Sequence, residues 1–285
     1  MKVRIRTIVI ALLVAATAGG AFVYAGIYNI AATDQHTAPV YWLLDYAMRR
    51  SVKSRTTDID TPALGDTERI RNGFRLYRDK CLQCHGAPGV PPDALAFGMT
   101  PAPASLVATA REWDAKEIYW VVRNGIKMSG MPGWAYRLSD EEIWDVVAFV
   151  RRLPAFSPKE YAQWSASASA AGDSGATATT AARATASVRA GNAEAGKRAI
   201  GQYLCATCHV IPGIVGANKH VGPPLTGMGT RKYIAGVLPN TPENMVRWLQ
   251  APQSIDPLSA MPALGVTDQD ARDMAAYLST LQSSD

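Results

Sequence analysis

The sequence predicts an all-α protein in which one transmembrane helix precedes two tandem helical units. Three observations carry that prediction. The amino terminus holds a long uncharged apolar run, the remainder is an internal duplication whose units are each entered and closed by a helix, and each unit contains one Cys-x-x-Cys-His pentapeptide. The expected order is a signal-anchor or transmembrane helix over residues 1–33 and a juxtamembrane segment with an interfacial helix over 34–65. A first unit over 66–164, a flexible linker over 165–190 and a second unit over 191–285 follow.

Lys2, Arg4 and Arg6 lead into a stretch without charge from Thr7 to Thr33, longer than the ~20 apolar residues that a bilayer requires. A cleavable signal peptide is the competing reading, because Ala16-Thr17-Ala18 resembles a small-residue cleavage site. Apolar sequence continues past it through Tyr28, which favours an uncleaved anchor. The leading positive charges put the amino terminus in the cytoplasm and the remainder across the membrane. Next, Val40, Leu43, Leu44, Ala47 and Met48 fall at helical spacing behind Pro39, with Arg49, Arg50, Lys53 and Arg55 after them. This pattern predicts a short amphipathic helix on the membrane surface, or one docked against a membrane partner. His36, just outside the membrane, reads as an interfacial polar residue rather than a ligand.

The net charge of +5 invites a nucleic-acid reading, and its distribution removes it. Residues 1–56 hold seven Lys/Arg against two Asp/Glu, residues 57–164 thirteen against fourteen, and residues 191–285 seven against seven. The basicity sits beside the membrane, and neither unit carries a positive stripe.

The pentapeptides are Cys81-Leu82-Gln83-Cys84-His85 and Cys205-Ala206-Thr207-Cys208-His209, and they use all four cysteines. On a helical turn, residues three apart share a face, so two thiols reach the two vinyl groups of one haem while the following His meets its iron. This is the c-type haem attachment signature. Zinc or a redox dithiol is the competing reading, but a tetrahedral zinc site needs four ligands and each motif offers three. Covalent attachment of c-type haem places both units in the bacterial periplasm.

The duplication extends beyond the motifs. Asp66 to Lys80 and Asn192 to Leu204 are expected entry helices, with Gly73 four residues before Tyr77 and Gly196 four before Ile200. Ser139-Asp140-Glu141-Glu142 and Thr267-Asp268-Gln269-Asp270 read as capped starts of the closing helices, each followed at the same spacing by an aromatic (Phe149, Tyr277) and a leucine (Leu153, Leu281). Between the units, Ser165 to Ala190 is almost wholly Ala, Ser, Thr and Gly, a composition too poor in bulky apolar residues to order itself.

Each iron also needs a sixth ligand unless the site is catalytic. Gly125-Ile126-Lys127-Met128-Ser129-Gly130-Met131-Pro132 and Ser259-Ala260-Met261-Pro262 precede the closing helices. A thioether followed by Pro suits a stiff ligand loop, so Met131 and Met261 are the expected axial ligands, with Met128 a weaker candidate. The expected iron ligands are therefore His85, Met131, His209 and Met261. His–Met ligation raises the haem potential. Trp113, Trp120, Trp134 and Trp144 either shield the first haem or simply pack. His220, in a Gly-rich loop, is expected to be exposed.

On these residues the chain resembles two tandem class I cytochrome c domains, covering about 66–160 and 191–283. The second unit is similar to the cytochrome c domain of caa3-type oxidase subunit II, through Gly222-Pro223-Pro224-Leu225, Arg231-Lys232-Tyr233-Ile234-Ala235-Gly236, Leu238-Pro239-Asn240-Thr241-Pro242-Glu243-Asn244 and Trp248. No copper-binding Cys pair accompanies it. The resemblance implies that the Pro223 carbonyl holds the imidazole of His209, and that Arg231, Tyr233 and Trp248 lie near the haem propionates. The first unit resembles domains of small respiratory cytochrome subunits. There Pro103 is the expected equivalent carbonyl, although Pro101-Ala102-Pro103-Ala104-Ser105-Leu106 departs from Gly-Pro-x-Leu.

The resulting expectation is a membrane-anchored electron carrier with two covalent haem c groups, not an enzyme in its own right. Its donor is a respiratory complex, such as a quinol-oxidising one, or a dehydrogenase. Its acceptor is a terminal oxidase or another cytochrome, and its remaining partner is membrane lipid. A dedicated cytochrome subunit of a periplasmic dehydrogenase is the alternative. A dihaem peroxidase is disfavoured by the two Met-Pro motifs, and a thiosulfate-oxidising enzyme with a Cys ligand by the lack of a spare cysteine.

Overall fold

The computed structural model describes residues 5–135, 137–170 and 190–282, and divides after Asp34 into two compact units. The first contains a single helix, α1 (Ile5–Tyr24), with no buried residue and a mean hydropathy of 2.1. By length and composition it is able to cross a membrane. It ends earlier than the uncharged run does: the chain turns at Gly26, which adopts a φ of 60°.

The second unit begins with α2 (Ala38–Lys53), whose Pro39 sits in the first turn as expected. This helix has two faces rather than one. Val52 is buried, the Tyr41 ring lies against Gly216, and Arg49 stacks its guanidinium 5.1 Å from the centroid of Trp113. Trp42, Leu43, Leu44 and Tyr46 are exposed on the other side. The sequence reading of a helix lying on the membrane surface therefore needs correction on one face, which packs against protein.

Two similar helical bundles follow. The first contains α3 (Thr67–Lys80), the haem-motif turn α4 (Leu82–His85), α5 (Leu106–Glu112), α6 (Ala115–Asn124), α7 (Asp140–Arg152) and α8 (Pro158–Ala170). The second contains α9 (Ala193–Gln202), α10 (Pro242–Gln250), the short α11 (Pro252–Ile255) and α12 (Asp268–Ser279). A two-stranded antiparallel hairpin, Tyr233–Ile234 with Leu238–Pro239, is the one strand pair outside the all-helical expectation among the described residues.

In each bundle the entry helix crosses the closing helix at the glycine flagged by the duplication. A Cβ on Gly73 would lie 1.8 Å from the carbonyl oxygen of Asp145, and one on Gly196 would lie 1.9 Å from that of Asp273. Only glycine permits backbones this close, because any side chain occupies the space of a main-chain oxygen. Packed against the first crossing are Phe74, Tyr77, Phe149 and Leu153, all 3% exposed or less. Around the second lie Ile200, Met274, Tyr277 and Leu278.

The closing helices start as the sequence predicts, with one chemical difference. At α7, Ser139 and Glu142 form a reciprocal capping box, worth about 1 kcal/mol. At α12, Thr267 accepts the Asp270 N–H at 3.2 Å. The shorter Asp270 carboxylate instead accepts the hydroxyls of Thr267, at 2.7 Å, and Tyr203, at 2.8 Å. The second cap thus ties the closing helix to the haem-motif segment.

Two boundaries differ from expectation. The entry helix of the second bundle ends at Gln202, not Leu204, because Leu204 takes a left-handed φ of 61°. The linker expected from Ser165 is helical as far as Ala170, since α8 is capped by Ser157 and Glu160 and its Tyr161 and Trp164 pack edge-on against Phe74. Residues 171–189 of that linker lie outside the described residues. The bundles contact each other directly, as where the Gly98 N–H donates to the Gln202 carbonyl at 3.0 Å and Gln253 Nε2 to the Gly89 carbonyl at 3.1 Å.

Replacing Gly73 or Gly196 by alanine is expected to cost about 1–3 kcal/mol by overpacking against backbone. Thermal melts of the haem-loaded protein should show each variant several degrees lower than wild type; an unchanged midpoint would refute the close crossing.

Candidate haem sites

The first motif begins where α3 ends. The Cys81 N–H closes that helix on the Tyr77 carbonyl at 2.8 Å, and the N–H groups of Cys84 and His85 return to the Cys81 carbonyl at 3.1 and 3.0 Å. This turn puts both thiols and the imidazole on one short arc. Gly86, with a φ of 59°, reverses the chain, and the fully buried Tyr77 donates its hydroxyl to the Gly86 carbonyl at 2.5 Å. The second motif repeats the turn, with Cys208 and His209 N–H donating to Cys205 at 3.2 and 3.0 Å. There the lock on the following loop comes from the closing helix, as Tyr277 donates to the Pro212 carbonyl at 2.6 Å.

Both imidazoles are oriented by a main-chain carbonyl. His209 Nδ1 is 2.7 Å from the Pro223 oxygen, as the resemblance implied. His85 Nδ1 is 2.8 Å from the oxygen of Ala104, not Pro103, which corrects the expected residue by one. The reason is local: Ser105 caps α5, and the residue before that cap turns its carbonyl back to the motif. With Nδ1 donating, Nε2 carries the free lone pair in each ring, the tautomer that a metal ligand requires. Burial pushes both imidazoles below their usual pKa, partly offset by these hydrogen bonds, so each ring is held neutral.

The thiols sit in surroundings that disfavour the charged form. Burial pushes Cys81 and Cys205 up to about 12, with the neighbouring Cys84 and Cys208 adding to the effect. Cys84 and Cys208 are raised by burial as well. A tetrahedral zinc site needs four ligands, and each motif offers three. Nor do the described residues contain a group of three or more His, Cys, Asp or Glu side chains able to hold a metal ion. Two half-buried thiols and an imidazole on one turn fit attachment of a haem through thioethers.

The methionine loops match in detail. Met131 and Met261 are both half-buried against the apolar core of their own bundle. In each loop the methionine N–H donates at 3.2 Å to the hydroxyl of a serine two residues earlier, Ser129 or Ser259. Ser129 also donates to the Ile126 carbonyl at 2.7 Å. These serines were visible in the sequence as a repeated Ser-x-Met-Pro but went unremarked. Met128, by contrast, is 97% exposed.

Other expected residues separate. Arg231 donates to the carbonyls of Pro224 and Thr226 at 2.6 and 2.9 Å, stiffening the loop that carries the Pro223 oxygen. Tyr233 is exposed on the hairpin, while Trp248 is buried in the core. In the first bundle Trp144 stacks on Tyr119 at 4.2 Å and is core, and Trp113 lies under Arg49. His220 is exposed, as expected.

A family model described as cytochrome c oxidase, cbb3-type, subunit III matches residues 68–150, and one described as cytochrome c matches residues 193–282. The chain carries two cytochrome c domains in tandem. A curated relative, cytochrome c oxidase subunit 2 of Alkalihalophilus pseudofirmus, is 34% identical over 91 residues, which are 32% of this chain and 26% of that protein. The match therefore spans about a quarter of the relative's length. No solved structure matches the chain. The two domains imply two covalent haem c groups, held through Cys81 and Cys84 and through Cys205 and Cys208, and make the protein an electron carrier.

A Cβ on Gly222 would lie 2.3 Å from Cε1 of His209. Gly222→Ala should therefore displace that imidazole from the Pro223 carbonyl while both haems remain attached. The expected readout is an altered ferric EPR signal from one haem of two; an unchanged spectrum would show that the ring does not depend on this close approach.

Proposed function

We propose that this protein is a membrane-anchored dihaem cytochrome c that relays single electrons in a respiratory chain. The observation that carries the reading is the paired construction of the sites. Each has a neutral histidine with Nε2 free, and each has a half-buried methionine fixed by a serine in a proline-stiffened loop. We assign His85 and Met131 to one iron and His209 and Met261 to the other. When bound, each haem supplies a reversible one-electron couple. The chain's residues tether it, fix the proximal ring, fill the far side with a thioether and exclude water. Such sites leave no position for substrate, which favours a carrier over a peroxidase.

Arg231 acts through the Pro223 loop, and Tyr233 and Trp248 are assigned to the border of the second haem. Donation from a quinol-oxidising complex or a dehydrogenase, and delivery to a terminal oxidase, is supported by the oxidase subunits named in two of the matches. We assign α1 as an uncleaved anchor in the bacterial inner membrane, with both haem domains in the periplasm. The exposed Trp42, Leu43, Leu44 and Tyr46 of α2 suit the headgroup region, where aromatic and apolar side chains partition together.

Met131→Ala and Met261→Ala should each convert one haem to a high-spin or exogenously ligated ferric form and lower its midpoint potential. Met128→Ala should leave both unchanged. EPR with a redox titration decides this, and two persistently low-spin haems in Met261→Ala would remove that ligand from the assignment. Separately, alkaline carbonate extraction should leave the protein in the membrane pellet, with intact mass including residues 1–18. Release into the supernatant, or an amino terminus beyond Ala18, would establish a cleaved signal peptide instead.

A further inference from the structure

The two methionine loops are held in different ways. In the first domain the loop closes on itself: the Ile126 N–H donates to the Met131 carbonyl at 3.2 Å, and Ser129 Oγ links the Met131 N–H to the Ile126 carbonyl. In the second domain Ser259 Oγ accepts the Met261 N–H in the same way, and the Ser259 N–H turns back to the Asp256 carbonyl at 3.0 Å. A further restraint comes from outside that loop. Gln253, in the short α11, donates from Nε2 to the Ser259 carbonyl at 3.3 Å and to the Gly89 carbonyl of the first domain at 3.1 Å. The Gly89 N–H in turn reaches the Ala260 carbonyl at 3.4 Å. A primary amide carries two N–H bonds, so one Gln253 side chain serves both carbonyls at once.

Local sequence makes Gly89 available for this contact. Ala87-Pro88-Gly89-Val90 is a tight turn closed by the Val90 N–H on the Ala87 carbonyl at 2.8 Å, with Gly89 at a φ of 77°. Pro followed by Gly at the two central positions is the type II pattern, whose closing bond uses neither the N–H nor the carbonyl of the glycine. Here both groups go to the second domain. The turn starts two residues after His85, and Ala260 directly precedes Met261. The haem-motif loop of one domain therefore lies against the methionine loop of the other. A Cβ on Gly89 would lie 2.9 Å from Gln253 Nε2, so the contact has no room for a side chain.

We propose that the Pro-Gly turn of the first domain, acting through Gln253, holds the Met261 loop closed, so that the sixth position of the second iron depends on the docking of the two domains. The inference rests on the assignment of Met261 to that iron and deepens the relay reading. Gln253 is a positioning residue, because it touches the loop that carries the thioether and not the thioether itself. An open loop exposes the site to outside ligands, and the apparent affinity for such a ligand rises with the open fraction. The first site, whose loop closes on its own residues, has no such dependence.

The test is an imidazole titration of the full-length, haem-loaded ferric protein followed by EPR, with the second haem identified as the one altered in Met261→Ala. Gln253→Leu removes both donors at nearly the same volume. It should raise the imidazole affinity of the second haem by about tenfold, equivalent to about 1.4 kcal/mol, and leave the first haem unchanged. Gly89→Asn supplies a residue that tolerates the left-handed region while filling the space of the Gln253 amide. Although it lies in the first domain, it should raise imidazole affinity at the second haem, and Gly89→Ala should do the same to a smaller extent. An effect of Gln253→Leu without any effect of the Gly89 variants on the second haem would confine Gln253 to its own domain and overturn the proposal. Wild-type affinity in all three variants, or an effect of the Gly89 variants on the first haem alone, would overturn it as well. A wild-type second haem that is already high-spin, or that binds imidazole as readily as Met261→Ala does, would instead overturn the ligand assignment beneath it.

Discussion

The close crossing of entry and closing helices is the constraint on which each domain depends. At Gly73 and Gly196 the two backbones approach to a separation that admits no Cβ. This contact fixes where the entry helix ends and hence where its Cys-x-x-Cys-His turn emerges. It also places the aromatic residues of both helices against the loop beyond the motif. Tyr77 does this from the entry helix of the first domain, and Tyr277 from the closing helix of the second. Two solutions to one mechanical problem, tying down the chain beside the haem, thus arise from opposite members of the same helix pair.

From that crossing the site follows by hydrogen bonding and burial. A carbonyl takes the proton on Nδ1, burial keeps the ring neutral, and the same burial suppresses ionisation of the cysteines. These are compatible demands on a site that is to hold an uncharged ligand ring and two thioethers. The serine two residues before each methionine adds a main-chain restraint on the methionine's own loop.

The duplication is not exact. In the first domain, the carbonyl that orients His85 belongs to Ala104, just before the start of α5. In the second, the equivalent carbonyl belongs to Pro223, and Arg231 braces the following loop. Likewise α8 closes the first domain with Tyr161 and Trp164, whereas the second carries a hairpin and α10. Two copies of one plan have diverged in the elements that surround a shared helix crossing.

Local chemistry made much of this legible in the chain. The motifs, the flagged glycines, the caps at Ser139 and Thr267, the Met-Pro loops and the apolar first helix are each specified within a few residues, by covalent spacing, steric size or hydrogen-bonding capacity. What required the tertiary structure depends on residues distant in sequence. Ala104 rather than Pro103 orients His85 because the carbonyl direction is set by the start of α5. Helix α2 turns one face inward because Gly216 and Trp113 are there to receive it. The docking of one domain on the other is a sum of weak polar and aromatic contacts between dissimilar segments, with no repeat or spacing to announce it. Sequence determined the motif from which each domain is built; only folding decided that the two domains adjoin, because that contact joins residues far apart in the chain.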